Sequence, residues 1–94
     1  MDSCTLANAR SNIDRINSEI VSLLIERFNN VDKVAEYKAA HSLPISDPDR
    51  EKIILEKVSQ LAGVEYAEDI IPVFKAVIAA SCRREERKIK VESL

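Results

Sequence analysis

The fold is decided by residues 5–40, TLANARSNIDRINSEIVSLLIERFNNVDKVAEYKAA, which contain neither glycine nor proline. Apolar side chains recur there at spacings of three and four residues, as on one face of an α-helix. They are Leu6, Ala9, Ile13, Ile16, Ile20, Leu23, Leu24, Phe28, Val31, Val34 and Tyr37. Such a helix is roughly 50 Å long, whereas a domain of this size has a radius of gyration of about 13 Å. We therefore expect this helix to protrude and pack on a second copy in an intertwined homodimer.

A second helix is predicted after a loop at residues 41–46. Asp47 at the N-cap followed by Pro48 at the first helical position is a strong helix-start signal. Gly63, the only glycine in the sequence, is the expected C′ residue at the end of this helix. The apolar face of the second helix is predicted to comprise Ile53, Ile54, Leu55, Val58, Leu61 and Ala62.

The third helix contains Pro72, which is tolerated only in a first turn or at a kink. Its main body is therefore predicted to begin near Asp69, with a kink at Pro72 as the alternative. Its inward side is predicted to comprise Ile70, Ile71, Phe74, Val77, Ile78, Ser81 and Cys82. Residues 83–90 mix both charges and are expected to be mostly a solvated helix end. The expected fold class is all-α, with three helices in a single domain over residues 1–94.

Composition excludes several classes of function. The 94 residues have a formal net charge of −2, which argues against general nucleic-acid binding. Because the N-terminus lacks a basic start and no apolar run approaches the ~20 residues of a membrane span, we expect a cytoplasmic protein that does not bind membranes. Cys4 and Cys82 match no metal or redox spacing.

Cations occupy positions on the inward lines of the first helix. Two lines of residues spaced by seven run Ile13, Ile20, Arg27, Val34 and Arg10, Asn17, Leu24, Val31, Lys38. Arg27 and Lys38 lie on the same side of the helix, because the step of eleven residues from one to the other makes three full turns and about 20° more. Arg10 lies about 100° away from Arg27 around the helix axis. Arg10 would thus join them from a partner helix. Since no acid lies in these lines, an anionic ligand is the simplest partner for buried cations.

Bland interpretations of these positions remain open. The three cations can extend to solvent along apolar surface or set the register of a dimer. Asp47 is sufficiently explained as a cap, and Arg50 and Glu51 as ordinary first-turn charges. Ser81 and Glu85 are four residues apart and share a helix face, but Glu85 can equally pair with neighbouring cations in solvent. His41, the only histidine, has no catalytic partner spacing. An enzyme of this sequence would work without a metal, a cofactor or a covalent nucleophile.

The polar positions together resemble those of the all-helical chorismate mutases. The most specific stretch is VAEYKAAHSLPISDPDRE, residues 34–51, which resembles the family's first-helix end, loop and second-helix start. The elements RSNID at residues 10–14 and LLIER at residues 23–27 also match, and the similarity covers about residues 6–86. The family implies a three-helix protomer and an intertwined homodimer with two shared active sites. It also implies conversion of the dianion chorismate to prephenate on the route to phenylalanine and tyrosine.

The resemblance assigns the cations to substrate anions. Arg10 from one chain and Arg27 from the other would bind the substrate carboxylates. Lys38 would bind a carboxylate and the ether oxygen whose bond breaks. Arg50 would support the carboxylate end.

The resemblance also assigns the acids. Asp47 and Glu51 would bind the ring hydroxyl region, and Ser81 would contact the ligand. The resemblance makes Glu85 a catalytic residue together with Arg27 and Lys38. Several family members have a glutamine here, which donates a hydrogen bond to the ether oxygen, whereas an ionised glutamate only accepts hydrogen bonds. Where relatives use glutamate, it must be protonated, so we expect activity to rise as the pH falls.

Two other functions stay open. An isochorismate-pyruvate lyase has a closely similar fold and also needs cations for a dianion, although the acids Asp47 and Glu51 favour the mutase. A helical dimerisation or regulatory module would instead partner another shikimate-pathway enzyme, which we expect to be a separate protein. Turnover by the isolated chain discriminates the module from the enzymes.

Overall fold

The structure is a computed structural model that describes residues 2–93, with side chains described for residues 2–90. The described chain is all-helical and forms two compact units, Met1–Asn30 and Val31–Leu94. Helix α1 spans Ser3–Ala40 and helix α2 spans Pro48–Ser93. No described helix combines the length and the apolar composition needed to cross a membrane.

Helix α1 begins two residues earlier than predicted because Asp2 caps it. The Thr5 amide donates to Asp2 Oδ1 at 2.7 Å and the Leu6 amide to the Asp2 carbonyl at 3.0 Å. The Thr5 hydrogen bonds hold the pKa of Asp2 below its ordinary value. The helix ends at Ala40 as predicted, and the chain then turns through Ser42, whose φ is 54°.

The start of α2 confirms the predicted cap. The Arg50 amide donates to Asp47 Oδ1 at 3.1 Å, and the Glu51 amide donates to the Asp47 carbonyl at 3.0 Å. Pro48 is the first helical residue, where its missing N–H is of no consequence. These two residues fix where the second half of the chain enters its helix.

The prediction of three helices is wrong, because residues 48–93 form a single helical span. Within it, Gly63 has non-helical backbone angles, φ 76° and ψ 172°, and lies at a kink between two helical stretches, so the predicted break of the helix at Gly63 is confirmed. An added Cβ would meet nothing within 4 Å, so close packing does not require a glycine here. The positive φ does, because residues with a side chain rarely adopt it. The helix resumes at once after Gly63 instead of near Asp69, so that predicted start is also wrong. Pro72 lies inside the span and cannot donate to the carbonyl of residue 68.

The core of the second unit is small. Among its described residues, the buried apolar ones are Ala35, Val58 and Ile78, and the buried polar ones are Ser81 and Glu85. The predicted inward side of residues 70–82 is confirmed, because each of its members is buried or half-buried. The predicted apolar face of the second helix is only partly right, since Ile53 is 52% and Leu61 is 83% exposed.

The first unit leaves its apolar residues exposed. Every residue from 11 to 20 is exposed, although three of them are isoleucines. Within residues 3–30, only Ala9, Leu24, Arg27 and Phe28 are half-buried. This unit therefore lacks a core of its own in the single chain.

Candidate active site

A buried ion pair joins the end of α1 to α2. Lys38 Nζ lies 3.0 Å from Glu85 Oε1, and the two side chains are only 14% and 6% exposed. Lys38 Nζ also donates a hydrogen bond of 2.8 Å to the carbonyl oxygen of Ile45 in the loop. The ammonium is thus held by one group from α2 and one from the loop.

Glu85 Oε1 takes part in the ion pair but accepts no hydrogen bond from the described residues. Among the described residues no donor makes a hydrogen bond to this buried oxygen, since its contact with Lys38 has the distance of an ion pair but not the angles of a hydrogen bond. A buried carboxylate oxygen without a donor is an unfavourable arrangement. Such an oxygen can accept a hydrogen bond from a ligand donor.

Three ion pairs between α1 and α2 correct two expectations from the sequence. Lys38 was expected to lack an acidic partner in the protein, but Glu85 supplies one from a distant part of the chain. Residues 83–90 were expected to be mostly solvated, but Arg84 pairs with Asp32 and Lys88 with Glu36. Residue spacing within one helix does not reveal an acidic side chain that lies on another helix.

Ser81 lies one turn before Glu85 on the same face of α2. It is 7% exposed, and its hydroxyl donates to the carbonyl of Val77 at 2.8 Å. The hydroxyl oxygen can still accept a hydrogen bond while it donates to the backbone. The structure thus brings Ser81, Glu85 and Lys38 to one buried region.

Cys82 connects Glu51 to this region. Burial raises the pKa of the Cys82 thiol, the carboxylates of Glu51 and Glu85 raise it further, and the Lys38 ammonium lowers it. Glu51, Glu85 and Lys38 therefore each lie within electrostatic range of the Cys82 thiol. The sequence predicts Cys82 as an inward residue, but its proximity to Glu51 has no local signal because the two residues are far apart in sequence.

Asp47 and Arg50 are exposed in the single chain. Asp47 has its cap hydrogen bond, and Arg50 takes part through its backbone amide. The structure does not bring the Asp47 carboxylate or the Arg50 guanidinium into a described contact with Lys38 or Glu85. Their predicted roles stay predictions.

Glu51 is half-buried and lines an open groove of about 790 Å³. Lys38 and Glu85 are not among the lining residues, which are Pro48, Glu51, Lys52, Leu55, Glu56, Ser59, Gln60 and Ile71. This groove is thus separate from the buried ion pair.

Arg10 and Arg27 belong to the first unit. Arg10 is exposed, whereas Arg27 is half-buried. Their predicted roles in binding carboxylates stay predictions.

The fold and this site define a helical protein with a buried lysine–glutamate pair, whose carboxylate has one oxygen that accepts no hydrogen bond from the described part of the chain. Residues 9–86 match the family model described as chorismate mutase type II. The chain belongs to this family, and the resemblance drawn from its sequence is confirmed.

Curated relatives agree with the family assignment. A chorismate mutase of Methanocaldococcus jannaschii is 41% identical over 68 residues, which are 72% of this chain and 69% of that protein. A bifunctional chorismate mutase/prephenate dehydratase of Aquifex aeolicus is 38% identical over 94 residues. This alignment covers 95% of the chain but only 26% of that relative. No solved structure matches the chain significantly.

Proposed function

We propose that this chain is a chorismate mutase that rearranges chorismate to prephenate. The observation that carries the proposal is the buried Lys38 ammonium, held between Glu85 and the Ile45 carbonyl in a chain of this family. Chorismate carries two carboxylates and an ether oxygen whose bond to carbon breaks. Fixed positive charge inside a partly dry site suits this substrate better than a neutral one.

Lys38 is the group we place against the breaking bond. An ammonium has three N–H donors, and the Ile45 carbonyl accepts one, so donors remain for a carboxylate and the ether oxygen. Negative charge grows on that oxygen in the transition state. A preorganised donor at such a position can contribute about 3 to 4 kcal/mol to lowering the barrier.

Glu85 is the second group at the ether oxygen, and there it must be protonated. A neutral carboxyl donates a hydrogen bond, whereas an ionised one only accepts and repels the developing charge. Its buried position beside Lys38 supports this placement. Ser81, one turn away, would contact the same ligand.

The remaining site residues bind and orient the substrate. We propose that Arg27 and Arg50 bind carboxylate groups, and that Asp47 and Glu51 bind the ring hydroxyl region. The half-burial of Arg27 and Glu51 favours these roles. Holding the substrate in a chair-like conformer removes conformational entropy before the reaction. No proton is transferred and no covalent intermediate forms.

A second copy of the chain would complete each site. Arg10 is exposed in the single chain, and so are the isoleucines at 13, 16 and 20 on the same helix. Exposed apolar side chains in a row of this kind mark a surface that another protein covers. We therefore propose an intertwined homodimer in which Arg10 of one chain joins the site of the other.

Two bifunctional relatives support prephenate as the product. The bifunctional relatives of Aquifex aeolicus and Buchnera aphidicola combine a chorismate mutase with a prephenate dehydratase. The second activity consumes the product of the first, which supports a place on the route to phenylalanine and tyrosine. The cytoplasmic location stays a prediction.

Incubating the purified chain separately with chorismate and with isochorismate tests the proposal. We expect prephenate from chorismate and no reaction with isochorismate. Formation of pyruvate and salicylate from isochorismate would identify a lyase instead. No turnover of either compound would favour a non-catalytic dimerisation or regulatory module.

A further inference from the structure

A second ion pair joins the same two chain segments beside the candidate site. Arg84 Nε lies 2.7 Å from Asp32 Oδ1, and Arg84 Nη2 lies 2.8 Å from Asp32 Oδ2. This fork-to-fork arrangement fixes orientation as well as distance, unlike a single ammonium–carboxylate contact. The hydrogen bonds from Arg84 hold the pKa of Asp32 below its ordinary value. We call this pair the clamp.

The clamp and the site are directly connected along both segments. Arg84 immediately precedes Glu85 in α2, and Asp32 precedes Lys38 in α1 by six residues, roughly 9 Å along a helix. Between Asp32 and Lys38 lies Ala35, which is 0% exposed. The two segments therefore meet closely between the clamp and the site, and a change of register at one reaches the other.

The Lys38–Glu85 pair is poorly suited to hold this register during the reaction. Lys38 has a flexible stem and makes one ionic contact, of 3.0 Å. In the proposed reaction its ammonium turns to the substrate, which weakens its hold on Glu85. The register must then be maintained by a contact that the substrate does not use.

We propose that Asp32 and Arg84 are positioning residues, which set the register of α1 against α2 so that Lys38 and Glu85 face the reacting ether oxygen. This inference rests on the proposed function. Because a misplacement of about 1 Å can lower a rate about 100-fold, a register contact remote from the substrate has a large effect on turnover. The clamp itself is half-exposed, and such pairs contribute little to folding stability.

The chain offers a matched control for the clamp. Lys88 Nζ lies 3.4 Å from Glu36 Oε1, a longer pair that joins the same segments with side chains 34% and 54% exposed. Glu36→Gln removes an ion pair between these segments without removing a bidentate contact. Glu36→Gln therefore shows how much kcat falls when some other ion pair between these segments is lost and the clamp stays intact.

The experiment measures kcat, KM and thermal unfolding for the unmodified chain, Asp32→Asn, Arg84→Lys, Glu36→Gln and the swapped double variant Asp32→Arg/Arg84→Asp. We expect Asp32→Asn and Arg84→Lys to lower kcat at least about tenfold, with KM changed less than about threefold. Glu36→Gln should keep kcat within about twofold of the unmodified chain. The swapped variant should recover part of the lost kcat, because it restores a pair between the same positions.

Three results would overturn the inference. One is an unchanged kcat in both clamp variants. Another is a loss of kcat that follows the loss of folded protein, in which case the pair has only a structural role. For a case in which Asp32→Asn does not fold, the kcat of Arg84→Lys, which keeps the positive charge, decides between the two roles alone. The third, no turnover in the unmodified chain, rejects the proposed function and this inference with it.

Discussion

Lys38 and Glu85 form an ion pair of 3.0 Å between two helices, with both side chains largely buried. Partners in a buried pair depend on each other, because removing one leaves the other charged in a medium of low dielectric constant. The pair thus links folding to the chemistry proposed for the site. It allows stability and turnover to be separated by substitution.

Lys38→Met should reduce both stability and turnover. It leaves the Glu85 carboxylate buried without its cation, and we expect a loss of about 3 to 5 kcal/mol in the free energy of unfolding. Lys38→Met/Glu85→Gln should recover most of this loss but stay inactive, since the ammonium proposed to stabilise the ether oxygen is absent. Urea denaturation of the unmodified chain, the two single variants and the double variant, all at one protein concentration, measures the coupling between the two residues. Additive losses in the double variant would mean that the pair is not coupled.

Glu85→Gln should remove the pH dependence of the reaction. The role proposed for Glu85 at the ether oxygen needs a hydrogen-bond donor, so kcat/KM of the unmodified chain should be higher at low pH than at high pH. A glutamine donates at every pH, so its kcat/KM should stay flat on the alkaline side. Profiles between about pH 5 and 9 measure the difference, with Glu86→Gln, an exposed neighbour, as the control. A Glu85→Gln profile identical to that of the unmodified chain would place Glu85 away from the ether oxygen.

Cys82 should react slowly with alkylating reagents compared with Cys4. Cys4 is exposed, whereas burial and the carboxylates of Glu51 and Glu85 raise the pKa of Cys82, so less of its thiolate is present near pH 8. Iodoacetamide labelling of the Cys4→Ser and Cys82→Ser variants gives the two rates separately. Glu51→Gln should accelerate labelling of Cys82, while Glu56→Gln should not. Equal rates for the two cysteines would contradict the described surroundings of Cys82.

Ile20→Asp should convert the proposed dimer to a monomer and abolish turnover. Ile20 is 48% exposed in the single chain, and burying a new carboxylate between two chains is strongly unfavourable. Ser18→Asp adds the same charge on the opposite face of α1 by helical phase, and we expect it to stay dimeric. Sedimentation at micromolar concentrations distinguishes the two species. An unmodified chain that is monomeric and active would rule out a shared active site.

Local signals explain which parts of the fold were predictable. The length of α1 follows from an uninterrupted apolar period, and the start of α2 follows from Asp47 and Pro48. The continuation of α2 past Gly63 was missed because glycine usually ends a helix, and here the chain resumes its helix at the next residue. Helix periodicity also assigned Leu61 to the core, although the side chain is exposed in the single chain.

Long-range contacts explain what the sequence left undetermined in the site. Lys38 was identified from its phase on α1, but its pairing with Glu85 depends on how two distant segments meet. The same holds for Asp32 and Arg84, which have no local signal that joins them. The Ile45 carbonyl was missed because a backbone acceptor leaves no mark in the residue type.

Turnover of chorismate by the unmodified chain and by Arg27→Ala tests the central claim most directly. The loss of chorismate is followed by ultraviolet absorbance, and circular dichroism shows whether each variant is folded. We expect the unmodified chain to produce prephenate and Arg27→Ala to be folded, dimeric and inactive. If Arg27→Ala turns over chorismate as fast as the unmodified chain, Arg27 does not bind the substrate carboxylates and the account of the site is wrong.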